Sequence, residues 1–467
     1  MSDADSCKPN VIARSPTGAT RQSLLEKSRL LRLLLAMTAV CLALSLLNAG
    51  ALHAKESASP AAEVREITLS LDECYRLALV QSETVAIQKE AISRATAQIF
   101  NAASQGLGNV DFIIDRTFQD SQQSNLSGGS YGNLGDPNIQ ESKFKISQPL
   151  FQGFKAIGAL TGAGSYKREQ TEAWIRAKEL LYTDVARAFY NVLRYEKEIE
   201  INRGIHELLG KRIKELEDRE KIGRSRTSEV LTARTNLKIL EADLSSAQGA
   251  LATVRYLLEF LTGTEIGERR LEEEMVEEVS SQTLAEHLKK AATRSDVKAA
   301  EQAVKTAWRG ILVAQSGFWP TITLDHNQYT RREGTLANLD FDTLFKFTVP
   351  LFSGGETVGQ VKDSIGILKQ KKLTFSLAKR QAELDIKQSY QIWLSAKETD
   401  SLLKEAVRDA EENYATQSEE YTRSLVSNLD VLAALEALQN TRQRQNLTYY
   451  VMKQDEAAFR VAIGDVS

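Results

Sequence analysis

Two near-copies of one short stretch constrain this 467-residue chain more than any other feature: Gln148-Pro-Leu-Phe-Gln-Gly153 and Val349-Pro-Leu-Phe-Ser-Gly354. Their prolines are 350 − 149 = 201 residues apart, and each stretch closes an alternating segment and opens a very long run without proline. The offset returns elsewhere, pairing Ser228-Glu-Val-Leu231 with Leu429-Asp-Val-Leu432 and Gly263 with Gly464. The chain reads as one unit written twice. A first repeat is expected over residues 55–267, an acidic connector over 268–283 and a second repeat over 284–467, all after an N-terminal segment of residues 1–54.

Only seven prolines occur, and residues 150–319 and 351–467 hold none, so long uninterrupted helix is allowed. Residues 153–221 would form a helix about 100 Å long at roughly 1.5 Å per residue. Val185, Ala188, Val192, Tyr195, Ile199, Leu209, Ile213 and Leu216 give it one apolar seam, and Phe189, Leu193, Ile205 and Leu208 a second. After a break near Gly223 a heptad pattern from Val230 to Leu261 predicts the returning arm of an antiparallel hairpin. Residues 355–417 and the helix ending at Gly464 repeat the scheme. The last helix carries Thr441, Gln445, Thr448 and Asp455 where the first copy has Leu240, Leu244, Ala247 and Val254, as expected for a copy facing water on an inner surface.

Each hairpin is preceded by a helix and two strands. Residues 71–105 read as one helix, with Ser70 and Glu73 in capping-box spacing, and residues 284–317 as its counterpart. Residues 110–118 alternate, with Phe112, Ile114 and Phe118 against Asp111, Asp115 and Thr117. Their partner is expected over 143–151, across a Ser-, Gly- and Asn-rich loop at 120–137. Residues 321–329 and 341–350 form the second strand pair around a loop at 331–340. Pro149, Gly153, Pro320, Pro350 and Gly354 mark the strand–helix junctions, where proline would end the ladder and glycine turn the chain.

The N-terminus has Arg21, Lys27, Arg29 and Arg32 before an apolar run at 33–47 and small residues near Ala51, the pattern of a secretory signal. No later apolar run has the roughly 20 residues of a spanning helix, which excludes an α-helical inner-membrane transporter. Cys74 is the one cysteine after that segment, so no intrachain disulfide is expected. A net charge of −3 implies no nucleic-acid partner. His206, His287 and His326 lack zinc-site spacing, and no phosphate-loop motif occurs, so neither cofactor nor enzymatic activity is expected.

Four two-faced strands beside helices this long pose a physical problem, because in lipid an open sheet edge costs several kcal/mol per unpaired backbone group. Three chains would supply twelve strands, an even number within the range of outer-membrane barrels. Phe151, Phe154, Phe318, Trp319 and Phe352 sit at strand ends, where an aromatic girdle would lie.

In the order and spacing of these features the chain resembles the TolC-type outer-membrane efflux proteins, from Leu71 to Gly464. The resemblance rests on the paired Pro-Leu-Phe stretches, the Pro320 strand opening, and Leu429-Asp-Val-Leu432 after a tyrosine and a turn. It implies a mainly α fold with a small β part: a homotrimer with a twelve-stranded β-barrel in the outer-membrane lipid, continued by a periplasmic α-helical tunnel. It further implies a non-enzymatic exit duct working with a periplasmic adaptor (membrane fusion) protein and an inner-membrane transporter to export small molecules or polypeptides. By position it makes Asp430, Tyr421, Ser228 and Glu229 gate candidates at the periplasmic end, with Arg423 substituting for a basic residue where Val426 stands. Ser424 replaces the usual turn glycine, and Ala433 stands where a second acidic ring can occur. Asp430 equally suits a helix N-terminal charge. The basic first turn, with Gly223, Arg224 and Arg226, is the candidate adaptor-docking surface. A periplasmic coiled-coil scaffold or an adaptor is the competing reading, but an adaptor needs one hairpin and a compact β-rich half, and this chain has two hairpins.

Overall fold

The computed structural model describes residues 68–118, 138–267, 269–273, 283–333 and 337–466. The signal-like segment, the loop at 120–137 and residues 274–282 of the connector lie outside the described residues.

Helix α1 (Leu71–Gln81) opens with the expected capping box, the Glu73 N–H donating to Ser70 Oγ at 3.3 Å and the Ser70 N–H to Glu73 Oε2 at 3.1 Å. It does not run on to residue 105. Ser82 is extended and caps a new helix, α2 (Glu83–Leu107), its Oγ accepting from the Val85 N–H. Strands β1 (Asn109–Phe118) and β2 (Asn138–Gln152) follow, then α3 (Lys155–Lys221) and α4 (Thr227–Thr262).

In the second half the expected single helix at 284–317 is also divided. Thr283 and Glu286 form a capping box for α5 (Leu284–Lys290), and a 3-10 turn at Ala291–Thr293 and extended Arg294 lead into α6 (Ser295–Gln315). The buried Arg294 explains this break: its Nη2 reaches Asp296 at 2.6 Å and Asp385 at 2.8 Å, which a continuous helix would not place together. Strands β3 (Thr321–Arg332) and β4 (Phe341–Thr348) then precede α7 (Glu356–Thr422) and α8 (Asn428–Ile463). Both long helices have 67 residues and both returning arms 36, with 356 − 155 = 428 − 227 = 201.

The four strands make one antiparallel sheet in the order β1-β2-β3-β4. Pro149 corrects the expectation that proline ends the ladder, because β2 runs on to Gln152 and the register with β3 shifts between Pro149 and Phe151. A bulge absorbs the missing N–H. Pro350 lies two residues beyond β4, which stops at Thr348 and not at residue 350. Strand β3 likewise extends to Arg332, into the expected loop.

The seams read from the sequence are buried: Val185, Ala188, Phe189 and Val192 pack with Cys74, Ala78, Leu258 and Val461 in one cluster of α1, α3, α4 and α8. A second cluster lies toward the turns that end α3 and α7. A third joins α5, α7 and α8, where Trp393 stacks on Phe459 and His287 meets the same ring edge-on at 5.1 Å.

Beside these apolar clusters, polar pairs also join the two hairpins. Gln454 of α8 donates to Asn191 of α3 at 3.2 Å, Asn446 to the Arg194 carbonyl at 3.0 Å and Gln443 to Asn202 at 2.9 Å. Within the second hairpin Gln445 donates to buried Asp400 of α7 at 3.0 Å.

Candidate functional site

Both hairpins end in the same turn. In the first, Gly223 (φ +74°) donates its N–H to the Glu220 carbonyl and Arg224 to the Arg219 carbonyl; in the second, Ser424 (φ +62°) donates to Tyr421 and Leu425 to Glu420. These are paired Schellman closures, whose positive-φ position favours glycine. Ser424 accepts the conformation at the cost of an L residue in the left-handed region.

The helix starts beyond the turns differ. Helix α8 is capped by Ser427, and Asp430 Oδ2 accepts from the Ser427 N–H at 2.8 Å and Oγ at 2.6 Å. The Ser427 hydroxyl and N–H hold the exposed Asp430 carboxyl below the usual carboxylate range. Helix α4 has Arg226 at its N-cap and no side-chain cap.

Under the turns lies a buried cation. Arg212 of α3 is 4% exposed; its Nε donates to Asn428 Oδ1 at 2.9 Å and its Nη1 to Glu215 at 2.8 Å. Its guanidinium carbon sits 3.6 Å from the centre of the Tyr421 ring, which Arg219 approaches at 4.4 Å. Tyr421 packs in one apolar cluster with Ile213, Leu216, Val431 and Leu432, and Arg212 Nη2 has no hydrogen-bond partner. One charged side chain therefore ties the first hairpin to both helices of the second.

The sequence-derived candidates are brought together only in part. Tyr421 is buried at this tie, and Asp430 lies in the same first helical turn as Asn428. Arg423 pairs with Glu419 of its own helix, and Glu229 accepts from Ser225 Oγ at 2.7 Å. Ser228 is exposed at the start of α4, its carbonyl accepting from Thr232 Oγ1. Arg224 and Arg226 are exposed in the connection after Gly223, close in sequence to Arg219 and Lys221. Arg212 and Asn428 were missed by sequence reasoning; the available signal was a charge falling between Leu209 and Ile213 in an otherwise apolar seam.

At the other end of the long helices the chain turns through two positive-φ residues in each repeat, Gly153 and Phe154, then Gly354 and Gly355. A Cβ on Gly153 would stand 2.6 Å from Trp319 Cβ, so only glycine fits beside the Pro320 junction. Phe154 is held edge-on against Phe151 and Trp319.

The sheet beyond these junctions has two unlike faces. Register places Val110, Phe112, Phe144, Leu324, Phe345 and Phe347 on one face, interrupted by Arg116, Gln148, His326, Gln328 and Thr343. On the other, Lys143 pairs with Asp115 and Glu141, Arg332 with Glu141, Ser147 with Asp325, and Asp342 accepts from Asn327 and Tyr329; Ile113 and Leu344 are its apolar members. No strand is recorded beyond β1 or β4 among the described residues. None of the described helices is long and apolar enough to cross a membrane.

Comparison with known proteins agrees with this arrangement. Residues 289–465 match the family described as outer membrane efflux protein. Over 261 residues the chain is 25% identical to the outer membrane protein TolC of Vibrio cholerae; that segment is 52% of this chain and spans only 59% of the relative. Among solved structures, CusC superposes with a TM-score of 0.75 over 87% of this chain and 95% of its own, at 17% identity. VceC of Vibrio cholerae gives 0.73 over 84% and 96% at 19% identity, and the CmeC outer membrane channel of Campylobacter jejuni 0.72 over 89% and 94% at 16%. Residues 289–465 are thus similar to outer membrane efflux proteins, and most of the chain shares its fold with CusC, VceC and CmeC.

Proposed function

We propose that three copies of this chain form an outer-membrane exit duct, a twelve-stranded barrel continued by a periplasmic tunnel of the long helices. The observation that carries the proposal is the sheet: one apolar face, one charged face and two outer strands without a partner among the described residues. In lipid the apolar face suits hydrocarbon and the charged face a water-filled lumen. Open edges are costly there, and pairing β4 of one copy with β1 of the next removes them. The CmeC structure is that of an outer membrane channel, and the channel role is carried over to this chain on shared fold.

The hairpin tips would close the periplasmic end. Three copies of Asp430 around a narrow entrance favour cations, with Tyr421, Arg423, Ser228 and Glu229 beside them. Opening would require the Arg212 tie to loosen. The basic turn with Gly223, Arg224 and Arg226 offers a docking surface to a periplasmic adaptor, which would couple the duct to an inner-membrane transporter for export of small molecules or polypeptides. Replacing Arg224 and Arg226 by Glu should abolish adaptor crosslinking and export; their survival would remove the docking assignment.

Fractionation tests the duct itself. The protein should be extracted with the outer membrane as a detergent-stable trimer. Recovery as a soluble periplasmic monomer would favour a scaffold and sink the duct.

A further inference from the structure

The apolar face of the sheet changes character along its length. Where the strands meet the long helices it runs into large apolar side chains, with Trp319 at 48% and Phe352 at 90% exposure. The polar groups at its middle levels are satisfied within the chain: His326 Nδ1 lies 2.8 Å from Thr343 Oγ1, Gln328 donates to the Asp340 carbonyl at 2.8 Å and Gln148 to the Gly106 carbonyl at 2.8 Å. Hydrocarbon demands such pairing.

The loop end of the same face is basic. Among the described strand residues its titratable side chains are Arg116, His326 and Arg331, and both arginines stand at the end nearest the β1–β2 and β3–β4 connections. A bulge puts Arg331 there. The register of β2 and β3 shifts between Ser142 and Lys143, leaving Thr330 unpaired in the ladder with its Oγ1 donating to the Ser142 carbonyl at 3.0 Å. Strict alternation from Tyr329 would instead put Arg331 on the charged face and take Arg332 away from Glu141. Arg116 is exposed with its guanidinium carbon 5.2 Å from the centre of the Phe118 ring, and Arg331 reaches Glu333 at 2.6 Å. Glu333 faces Gln140 at the end of the ladder, so two cations against one carboxylate leave 2 − 1 = +1 per copy.

Height separates this cluster from the hydrocarbon. From Trp319 to Arg331 is 331 − 319 = 12 residues, about 40 Å of extended chain at roughly 3.3 Å per residue, and a strand tilt of about 40° leaves about 30 Å along the membrane normal. An apolar band of about 25 Å that begins at Trp319 ends short of Arg331.

We propose that Arg116 and Arg331 of each copy bind the phosphate of the glycolipid headgroups that make up the outer leaflet of the outer membrane. Guanidinium groups suit this occupant, because their forked donors match phosphate oxygens. Strands β1 and β3 are two spacings apart, about 10 Å, which two long side chains can bridge across one headgroup, with Gln140 of β2 between them for a sugar hydroxyl. Ile114, one step nearer the membrane centre, meets the acyl chains. The helix end of this face holds no charged strand residue, in keeping with a membrane whose phosphorylated sugar lipid lies on one side only. The inference rests on the duct reading, which sets the loop end outside the cell.

Thermal unfolding of the full-length trimer in phosphatidylethanolamine nanodiscs tests it, with bisphosphorylated lipid A, the same lipid without phosphate, phosphatidylglycerol and inorganic phosphate as probes. Bisphosphorylated lipid A should raise the melting temperature of the wild type at about one tenth of the concentration that phosphatidylglycerol requires, and neither the phosphate-free lipid nor inorganic phosphate should raise it. Arg116→Gln with Arg331→Gln should abolish the tenfold preference. Lys145→Gln, the same loss of charge on the opposite face, should keep it. Equal stabilisation by the phosphate-free lipid, by phosphatidylglycerol or by inorganic phosphate would overturn the site and leave the duct intact, and this wild-type comparison decides even where the double variant fails to assemble. A double variant that keeps the preference would overturn it too. Absence of any trimer in the membrane fraction would overturn both the duct and the site.

Discussion

The Arg212 guanidinium rests 3.6 Å from the centre of the Tyr421 ring, and the same side chain reaches Asn428, so a buried cation on one hairpin holds two helices of the other. Removing such a group strands Asn428 and empties its space. Arg212→Ala should lower stability by about 3 kcal/mol, the order seen when one partner of a buried charged contact is deleted. Arg212→Lys should recover little, since an ammonium cannot both stack on the ring and reach the amide. Thermal unfolding of the detergent-solubilised protein checks this, and an unchanged melting temperature for the alanine variant would count against the tie.

Ser424 and Gly223 occupy equivalent turns with opposite expectations. Ser424→Gly should stabilise by about 0.5–1 kcal/mol, the relief of a left-handed L residue less the added freedom of glycine in the unfolded chain. Gly223→Ala should destabilise by about 1 kcal/mol, chiefly through backbone strain, because a Cβ there would meet nothing within 4 Å. Hydrogen exchange at the two turns reads both effects, and equal signs would refute the equivalence.

At the start of α8, Ser427→Ala should cost about 1 kcal/mol of local stability. The Asp430 carboxyl is depressed in the folded protein, so its stabilising contribution is present above the unfolded value, about 4, and is lost as pH falls through the lower folded value. Amide protection factors in the first turn, referred to the unfolded-chain rate at each pH, should therefore fall on acidification in the wild type, and Asp430→Ala should remove that dependence. A variant that keeps the same acid response would show that the cap is not its source.

His287 is buried against Phe459 with Nδ1 unpartnered, and burial, together with Lys290, lowers its pKa from 6.5. The neutral ring is the folded form, so stability is full above pH 6.5 and falls as pH drops through the lower folded value. His287→Phe should flatten the melting temperature between pH 7 and pH 5. Parallel pH profiles for the variant and the wild type would contradict this.

Much of the fold was legible because repetition is a property of spacing. The 201-residue offset, the hairpin seams and the turn residues needed only the sequence. The breaks at Ser82 and Arg294 did not show, since periodicity continues across them and the reason for the second is an ion pair to Asp385, 91 residues away. Pro149 misled because a bulge, a matter of how two strands align, lets the ladder pass it. At the tips the sequence supplied Tyr421 and Asp430 but not Arg212, whose role depends on Asn428, 216 residues distant. The polar contacts between α3 and α8 were hidden for the same reason: Gln443 finds Asn202 only after both hairpins have formed.

Conductance of the purified protein in a planar lipid bilayer tests the central claim most directly. The wild type should insert as a trimer and give small, cation-favouring current steps, and Arg212→Ala should give larger ones as the tips part. A protein that produces no steps in either form, although membrane-inserted and trimeric, would contradict the account of this chain as an exit duct closed at its hairpin tips.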